Sequence, residues 1–416
     1  MIGYAVKKWG MPWKAISPMD ERMKFAAAFL EGDCGMAELC RRFSISRKTG
    51  YKWMHRYFVD GPEGLGERSH RPQSNSRAVA DDVVELIVAL RKRYRHWGPR
   101  KLRAWIETHR SEIDLPAAST IGDILKRNAL VAPRRKRNGV VPYTQPFSGC
   151  ERPNDLWCVD FKGHFPVGDG VRCYPLTVTD GYSRLLLECR AMLDTDGISV
   201  QRVFEGAFRF YGLPLAIRSD NGPPFASRAV GGLSELSVWW IKLGIRVERI
   251  DPGHPEQNGR HERMHRTLKE ETASPPQPSF SRQQREFQRF RRYFNEERPH
   301  EALGQRAPAV FYKPSPRPYP KEVPTPEYPN HHELRCVRPN GTIHWRGASI
   351  FVAKCLADEP VGLCETTDGM WQVHFSNVPL GLIDERRPTD KLIRPRTKKR
   401  PDELARHEAA SERYGQ

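Results

Sequence analysis

Three acidic residues occupy positions where a carboxylate calls for an explanation. Asp160 lies inside the apolar run 157–161, which predicts a buried strand, and an ionised Asp there is costly unless a cation or partner compensates it. Asp220 directly follows a second short strand-like run, 216–219, and sites in open α/β sheets form at the carboxyl ends of such strands. Glu262 lies near the start of a predicted helix. Each alone has an ordinary explanation as a strand-end cap, a turn residue or a surface helix residue.

If these three side chains converge, their chemistry is that of a divalent-cation site. Carboxylates without His or thiolate partners are hard oxygen donors, which suit Mg²⁺ or Mn²⁺ and bind zinc poorly. Two such ions about 3.5–4 Å apart can clamp the attacking and leaving oxygens of an in-line phosphoryl transfer. We therefore expect Asp160, Asp220 and Glu262 to be both the catalytic residues and the metal ligands of a site that holds two Mg²⁺ or Mn²⁺ ions.

The segment that carries these residues alternates strands and helices. Strands are predicted at 157–165, 174–179, 184–190, 216–219 and 245–250, and helices at 199–211, 233–243 and about 258–272. This order predicts an α/β core at 150–312 with a five-stranded mixed sheet flanked by helices.

Residues 17–60 predict a helix-turn-helix domain. Ser46 can cap the helix that starts at Arg47, and this second helix carries the basic residues Arg47, Lys48, Lys52 and Arg56. Major-groove recognition requires a short basic helix after a tight turn, so these four residues are candidate DNA contacts. The alternative is an ordinary helical pair with a solvated basic face.

A second helical segment, 77–132, predicts another helix-turn-helix-like unit. Its first helix has one apolar stripe, formed by Val83, Leu86, Ile87, Leu90 and Tyr94. A basic linker follows, with Arg134, Arg135, Lys136 and Arg137 expected to lie along DNA phosphates or to stay solvated.

The overall charge favours a polyanionic partner. Lys+Arg 68 against Asp+Glu 50 gives a net charge of +18, and basic residues gain binding energy where they displace counterions from phosphates. Charge that serves solubility alone is the alternative. No run of 18 apolar residues occurs, so we expect no membrane partner. Nine Cys without a C-x-x-C pair are typical of a reducing compartment.

The C-terminal part predicts three segments. Seven Pro within 312–330 indicate a stiff, extended linker at 313–330. Two hairpin signals, Asn340-Gly341 and Asp368-Gly369, predict a small β-barrel at 331–388, followed by a basic disordered tail at 389–416. His331, His332 and Cys336 lie close in sequence, but they lack the second ligand pair of a zinc motif.

Several motifs in the central segment resemble those of the DDE transposases of bacterial insertion sequences, which have a retroviral-integrase-like catalytic core. The similar stretches, in order, are Trp157-Cys158-Val159-Asp160-Phe161-Lys162-Gly163, Asp180-Gly181-Tyr182-Ser183-Arg184, Ser219-Asp220-Asn221-Gly222, Pro255-Glu256-Gln257-Asn258-Gly259-Arg260-His261-Glu262-Arg263 and Arg298-Pro299-His300-Glu301-Ala302-Leu303-Gly304. The resemblance covers about residues 150–312 and implies a ribonuclease-H-like fold with two divalent ions.

The identity of the third carboxylate depends on the motif register. Glu256 is separated from Asp220 by 35 residues, a common spacing in the family, and Glu262 by 41. The family's glutamate follows its Asn-Gly pair by three residues, which favours Glu262 and implies an insertion within 225–243. Arg266 and Lys269 lie on the same helical face as Glu262, and the resemblance implies that this lysine contacts DNA near the element's end.

The resemblance implies a DNA transposase. Such an enzyme binds the terminal inverted repeats of its element, cleaves the ends and joins the 3′-hydroxyl to double-stranded target DNA, acting as a homo-oligomer. Asp160 is expected to bridge the two ions while Asp220 and Glu262 bind one each, and Asn221 and His254 to orient the site. The alternatives are a catalytically silent, sequence-specific DNA-binding regulator derived from a transposase and a plain metal-dependent nuclease.

Overall fold

The structure, a computed structural model, describes residues 17–67, 79–131, 150–227, 229–250, 259–386 and 390–393. The chain divides into two compact units, residues 1–78 and 79–416. The predicted residues Arg134 to Arg137, Glu256 and His254, together with the basic residues beyond 393, lie outside the described residues.

The first unit contains three helices: α1 (Pro18–Glu31), α2 (Met36–Arg42) and α3 (Arg47–Asp60). Ser46 caps α3 by accepting the Thr49 N–H, as the sequence predicts. The core is formed by Phe25, Ala26, Leu39, Cys40, Trp53, Met54 and Leu65. Gly50, Trp53 and Met54 are the buried residues of α3, whereas Tyr51 is 60% exposed.

The second helical unit has the predicted three helices, α4 (Asp81–Arg93), α5 (Pro99–His109) and α6 (Ala118–Arg127). Their apolar faces share one core with Trp97, whose ring stacks on Tyr94 with centroids 4.0 Å apart. The indole N–H of Trp97 donates to the Tyr293 hydroxyl, and the Tyr94 hydroxyl donates to Glu297 at 2.7 Å. These contacts attach the three-helix unit to the segment that closes the α/β core.

The α/β core contains the predicted five-stranded mixed sheet. Its strands are β1 (Trp157–Phe161), β3 (Arg172–Asp180), β4 (Leu186–Met192), β5 (Ala216–Ser219) and β6 (Arg246–Arg249), with a two-residue strand β2 (Phe165–Pro166) added beside β3. β3 pairs antiparallel with both β1 and β4, while β1, β5 and β6 run parallel. β1 therefore lies in the middle of the sheet, between β3 and β5.

Helices cover both faces of this sheet. α7 (Gly197–Tyr211) and α8 (Glu235–Lys242) pack on the face that presents Trp157 and Val159. α9 (Gly259–Thr272) and α10 (Phe280–Arg292) pack on the opposite face. Because side chains alternate along β1, Cys158 and Asp160 point to the α9 side.

α10 and the π-helical turn that follows it (Tyr293–Glu297) have no counterpart in the sequence prediction. They cover the outer edge of β4. The Asn295 amide accepts the Leu186 N–H at 2.8 Å and donates to the Leu186 carbonyl at 2.9 Å, and Gln284 pairs with Ala191 and Cys189 in the same way. Side chains thus satisfy backbone groups that an edge strand would otherwise expose.

The Pro-rich segment contains neither helix nor strand between residues 312 and 330, as predicted, but it is bound to the core along its first half. Ser315 N–H donates to the Tyr211 carbonyl, and the Arg317 guanidinium donates to the Pro214, Leu243 and Gly244 carbonyls. This part of the segment therefore ties together the C-terminal ends of α7 and α8.

The C-terminal domain has the predicted short strands, but the prediction of a closed barrel is not confirmed. β7 (Glu333–Cys336), β10 (Pro360–Thr367), β11 (Met370–Phe375) and β12 (Val378–Asp384) form an open antiparallel sheet in the order β12-β11-β10-β7. The hairpin of β8 (Thr342–Trp345) and β9 (Ala348–Phe351) is a separate sheet that shares the same core. Among the described residues β7 and β12 do not pair, so the sheet stays open.

The limits of this domain differ from the predicted ones at both ends. Isolated bridges join Phe351 to Lys391 and Leu382 to Ile393, so pairing continues into the predicted tail. The apolar core also includes Val230, Leu233, Val238 and Ile241. These residues belong to the segment 225–243, which was expected to contain an insertion and which includes α8. The segment thus packs against the C-terminal sheet.

The structure also bears on the predicted absence of membrane spans and on the cysteines. No described helix combines the length and apolar character needed to cross a bilayer. All nine cysteines are free thiols.

We expect Asn295→Ala to lower the free energy of unfolding by about 2–4 kcal/mol, because it leaves the buried N–H and carbonyl of Leu186 without partners. Urea unfolding followed by circular dichroism measures this loss. Glu296→Ala, at the exposed neighbouring position, is the matched control and should change stability by under about 0.5 kcal/mol. Equal effects of the two substitutions would show that Asn295 does not secure the β4 edge.

Candidate active site

Asp160 and Asp220 lie on neighbouring parallel strands. β1 and β5 pair with Trp157 opposite Ile217 and Cys158 opposite Arg218, so the partners differ by 60 in residue number. Continuing this register by two residues places Asp160 beside Asp220, and adjacent strands are about 4.8 Å apart. The paired residues end at Cys158 and Arg218, so this extension of the register predicts that the two carboxylates are close. Among the described residues, Asp160, Asp220 and Glu262 do not form a group within 4.8 Å, whereas Asp160, His261 and His265 do. The Asp160 side chain is 18% exposed, so it is open to solvent.

The turn after β5 fixes the second aspartate. Asp220 Oδ1 accepts the Gly222 N–H at 3.2 Å. The Asn221 amide donates to the Ile250 carbonyl at 2.8 Å, which ties the turn to the end of β6. The orienting role expected of Asn221 stays a prediction, and this hydrogen bond shows how it would act through the backbone next to β6.

α9 has a face that is buried against the sheet and an exposed flank that carries Glu262. Met264, Leu268 and the two histidines His261 and His265 are buried against the sheet. Glu262, Arg266 and Lys269 are exposed and share one flank at i, i+4 and i+7. The helix thus carries the third carboxylate on the flank next to His265, and His265 Nδ1 lies 3.8 Å from Asp160 Oδ2.

A buried hydroxyl connects α9 to the strand of the first aspartate. Thr177 lies opposite Asp160 in the β1–β3 ladder, and its Oγ1 donates to the Asp160 carbonyl at 3.1 Å. The same Oγ1 lies 2.7 Å from Nε2 of both His261 and His265. Since its one proton goes to the carbonyl, both imidazoles must donate from Nε2. The unprotonated Nδ1 of His265 is then the nitrogen nearest to the Asp160 carboxylate.

Burial keeps these two histidines neutral. It lowers the pKa of His261 to about 3, and burial together with His261 and Lys162 lowers the pKa of His265 to about 2. Sequence reasoning missed both residues. The signal was available in the i, i+4 spacing on a helix that must face the sheet.

The donor set fits a hard divalent cation better than zinc. Asp160, His261 and His265 offer ligand atoms within 4.8 Å of one another, but both Nε2 atoms are engaged by Thr177. The donors that remain are carboxylate oxygens, the ligands that Mg²⁺ and Mn²⁺ prefer, and one imidazole nitrogen, Nδ1 of His265 beside Asp160.

The other residues predicted from the sequence are placed as follows. Arg47, Lys48 and Lys52 are exposed on α3, whereas Arg56 is half-buried with its guanidinium 4.9 Å from the centre of the Trp53 ring. In the C-terminal domain, His331 and His332 approach Cys364 rather than Cys336.

Family models match most of the chain in successive segments. Two models described as integrase core domain match residues 151–255 and 243–308. A helix-turn-helix domain matches 21–73, a homeodomain-like domain 49–125, and the C-terminal domain of the IS481 family transposases 332–391. The chain thus has an integrase-type core combined with helix-turn-helix domains.

The chain is also similar to proteins of bacterial insertion elements and of retroviruses. The chain is 29% identical over 246 residues to the "Insertion element IS407 uncharacterized 31.7 kDa protein" of Burkholderia multivorans, covering 58% of this chain and 83% of that protein. It is 30% identical over 242 residues to the IS476 insertion-element protein of Xanthomonas euvesicatoria, covering 58% of this chain and 66% of that protein. A Gag-Pol polyprotein of baboon endogenous virus is 31% identical over 42% of this chain but only 10% of its own length.

Together these matches confirm a bacterial insertion-sequence transposase with an integrase-like core. Among solved structures, the integrase catalytic core of HTLV-2 in complex with magnesium aligns with 39% of this chain and 98% of its own, at 16% identity and a TM-score of 0.31. The fold assignment rests instead on the strand order and the family models.

We expect Thr177→Val to lower the free energy of unfolding by about 2–4 kcal/mol, since this near-isosteric change leaves two buried imidazole N–H groups without their acceptor. Chemical denaturation measures the loss. Thr366→Val removes an exposed hydroxyl and serves as the control. A loss below about 0.5 kcal/mol at Thr177 would contradict the proposed connection between α9 and β1.

Proposed function

We propose that this protein is a metal-dependent DNA transposase that binds the terminal inverted repeats of its element, cleaves the ends and joins the 3′-hydroxyl to target DNA. The observation that supports the proposal is the parallel pairing of β1 with β5, whose register, extended by two residues, would set Asp160 beside Asp220. Two like charges so close are unfavourable unless a cation lies between them.

Asp160, Asp220 and Glu262 would hold the ions, two Mg²⁺ or Mn²⁺ per site. When bound, such ions lower the pKa of an attacking water and stabilise charge on the attacking and leaving oxygens. Asp160 is the natural shared ligand because it lies between β3 and β5 in the centre of the sheet. Glu262, exposed on α9, completes the set from the helix side.

The residues around the carboxylates position the reactants. Thr177 fixes the backbone of Asp160, and Asn221 holds the turn of Asp220. Arg266 and Lys269 place two cations on the Glu262 flank, where they would bind phosphates of the DNA strand at the reacting bond. The protein itself supplies no nucleophile in this reaction, because water and then the freed 3′-hydroxyl attack the phosphorus.

Recognition of the ends is assigned to the first unit. α3 presents Arg47, Lys48 and Lys52 to solvent together with the exposed ring of Tyr51, as a recognition helix in the major groove requires. Joining two ends in one event requires at least two such chains, so the active form would be a homo-oligomer on DNA.

We expect Asp160→Ala, Asp220→Ala or Glu262→Ala to reduce end cleavage and strand joining by more than about a hundredfold, since loss of even an outer-shell partner costs 10–100-fold. Binding to the ends should persist. Cleavage of a labelled duplex carrying the terminal repeat, with a gel-shift assay in parallel, measures both.

Glu256→Ala is the matched control and should stay close to wild type in both assays. Normal joining by any of the three variants would remove that residue from the mechanism. Loss of activity in Glu256→Ala with normal activity in Glu262→Ala would exchange the two assignments.

We expect deletion of residues 1–75 to abolish preference for the terminal repeat over unrelated DNA while some salt-sensitive affinity remains. The deleted part corresponds to the first compact unit, so the rest of the chain should fold. Fluorescence anisotropy at several salt concentrations measures both properties, with log K falling by about 0.9 per log unit of salt for each phosphate neutralised. Retained specificity would show that recognition lies elsewhere.

A finer pair of variants tests the same surface without a truncation. Lys48→Ala with Lys52→Ala should weaken binding to the repeat, whereas Lys24→Ala, on α1 and paired with Glu21, should not.

A further inference from the structure

A cavity of about 390 Å³ lies on the flank of α9 opposite Glu262. The turn between β3 and β4, the segment after the π-helical turn and the start of α5 close its other sides. Its lining includes five cationic side chains, Lys101, Arg184, Arg260, Arg263 and Arg298. A volume in this range is typical of a ligand pocket.

These cations outnumber the acids that line the cavity, although Arg298 is paired with Glu271 at 2.9 Å. The lining acids are Asp180 and Glu301. Asp180 already accepts from the Asn154 N–H and from both the N–H and the hydroxyl of Ser183, and Glu301 pairs with Arg100. In the part of the chain that the structure describes, Lys101, Arg184 and Arg263 form no ion pair.

Burial and neighbouring like charges lower the pKa values of two cations in the cavity. Burial, with the neighbouring charges of Arg260 and Arg263, lowers the pKa of Arg184 to about 10. Burial and Arg298 lower the pKa of Lys101 to about 8, against the opposing effects of Glu271 and Glu301. Burial is the largest cause of both shifts, and the neighbouring cations add to it.

One buried nitrogen at this cavity also lacks a partner. His300 lines the cavity, and among the described residues its Nε2 is buried without a hydrogen bond. Burial and the neighbouring cations lower the pKa of His300 to about 3, so the imidazole is neutral, and its N–H is hydrogen-bonded to the Phe294 backbone. The cations, not His300, therefore make the cavity suitable for an anion.

We propose that this cavity binds a backbone phosphate of the DNA strand that crosses α9 from the catalytic flank. Arg184, Lys101 and Arg263 contact the phosphate oxygens. The proposal rests on the proposed function for the identity of the strand. In this proposal the β3–β4 turn and residues 298–302 also contact DNA. This contact is separate from the one proposed for Arg266 and Lys269 on the Glu262 flank.

The geometry of α9 favours a DNA phosphate over a free anion. Exposed Arg263 lies between the two flanks, so the positive surface is continuous from Arg266 to the cavity. A helix is about 10–12 Å wide with its side chains, which equals the rise of about three base pairs at 3.4 Å each along a duplex axis. A strand held at the active site would thus reach the cavity without a gap.

The test measures DNA binding by fluorescence anisotropy in EDTA with the full-length Asp220→Ala protein, so that cleavage cannot contribute. Lys101→Ala with Arg184→Ala should weaken affinity at about 100 mM salt by roughly tenfold to a hundredfold. The slope of log K against log salt should become shallower by about 0.9, because the protein then neutralises one phosphate fewer. Arg263→Glu, at an exposed position that folding tolerates, should act in the same direction.

Arg202→Ala with Lys321→Ala is the matched control. It removes two exposed cations, one of them from α7 on the opposite face of the sheet, and should leave affinity and salt slope unchanged. Arg184→Lys, which keeps the charge, should restore part of the affinity. Unchanged DNA affinity in both Lys101→Ala/Arg184→Ala and Arg263→Glu would overturn the proposal, as would an equal loss in the control.

A further experiment tests whether the bound phosphate belongs to DNA or to a free anion. Inorganic phosphate and a 5′-mononucleotide are titrated into the same proteins in a thermal-shift assay. Micromolar binding of either, absent from the cavity variants while DNA affinity is unchanged, would assign the cavity to a free anion and overturn the DNA assignment.

Wild-type DNA affinity should fall as pH rises through about 8, where unliganded Lys101 loses its proton next to Arg298, His300, Glu271 and Glu301. The fall should be absent in Lys101→Ala. These binding results do not depend on cleavage, so failure of this proposal is distinct from failure of the catalytic assignment.

Discussion

The parallel pairing of β1 with β5 is the constraint on which the rest of the site depends. Extended by two residues, its register would set Asp160 beside Asp220, an arrangement of like charges that a divalent cation would stabilise. Everything around this pair restrains it. β3 supplies the Thr177 hydroxyl, and the turn after β5 is tied to the end of β6 through Asn221. A core this firmly held can keep two like charges close until a cation compensates them.

α9 is the element that links the parts of the molecule. Its buried face contacts Thr177 through His261 and His265, one flank carries Glu262, and the other lines the cationic cavity with Arg260 and Thr267. The three-helix unit α4–α6 reaches the same cavity through Lys101. A DNA strand lying on α9 would therefore contact the catalytic core and the second helical unit together, which couples end binding to the position of the reacting bond.

The sequence predicted the succession of strands and helices along the core because its signals are local. Asp160 interrupts one apolar run, Asp220 ends another, and residues 258–272 predict a helix. It did not predict α10, whose many charges hide the apolar spacing of Phe287 and Phe290. The cationic cavity could not be predicted, because Lys101, Arg184 and Arg298 come together only through tertiary packing. The closed barrel was not confirmed for a related reason: hairpin signals predict strands but not whether the edges of a sheet meet.

The central claim is that Asp160, Asp220 and Glu262 bind the same divalent ions. The most direct measurement is anomalous diffraction from crystals of the protein grown with Mn²⁺. We expect two peaks about 3.5–4 Å apart, with oxygens of all three carboxylates at about 2.0–2.3 Å from manganese. Manganese bound without Glu262, or bound instead by His261 and His265, would contradict this claim.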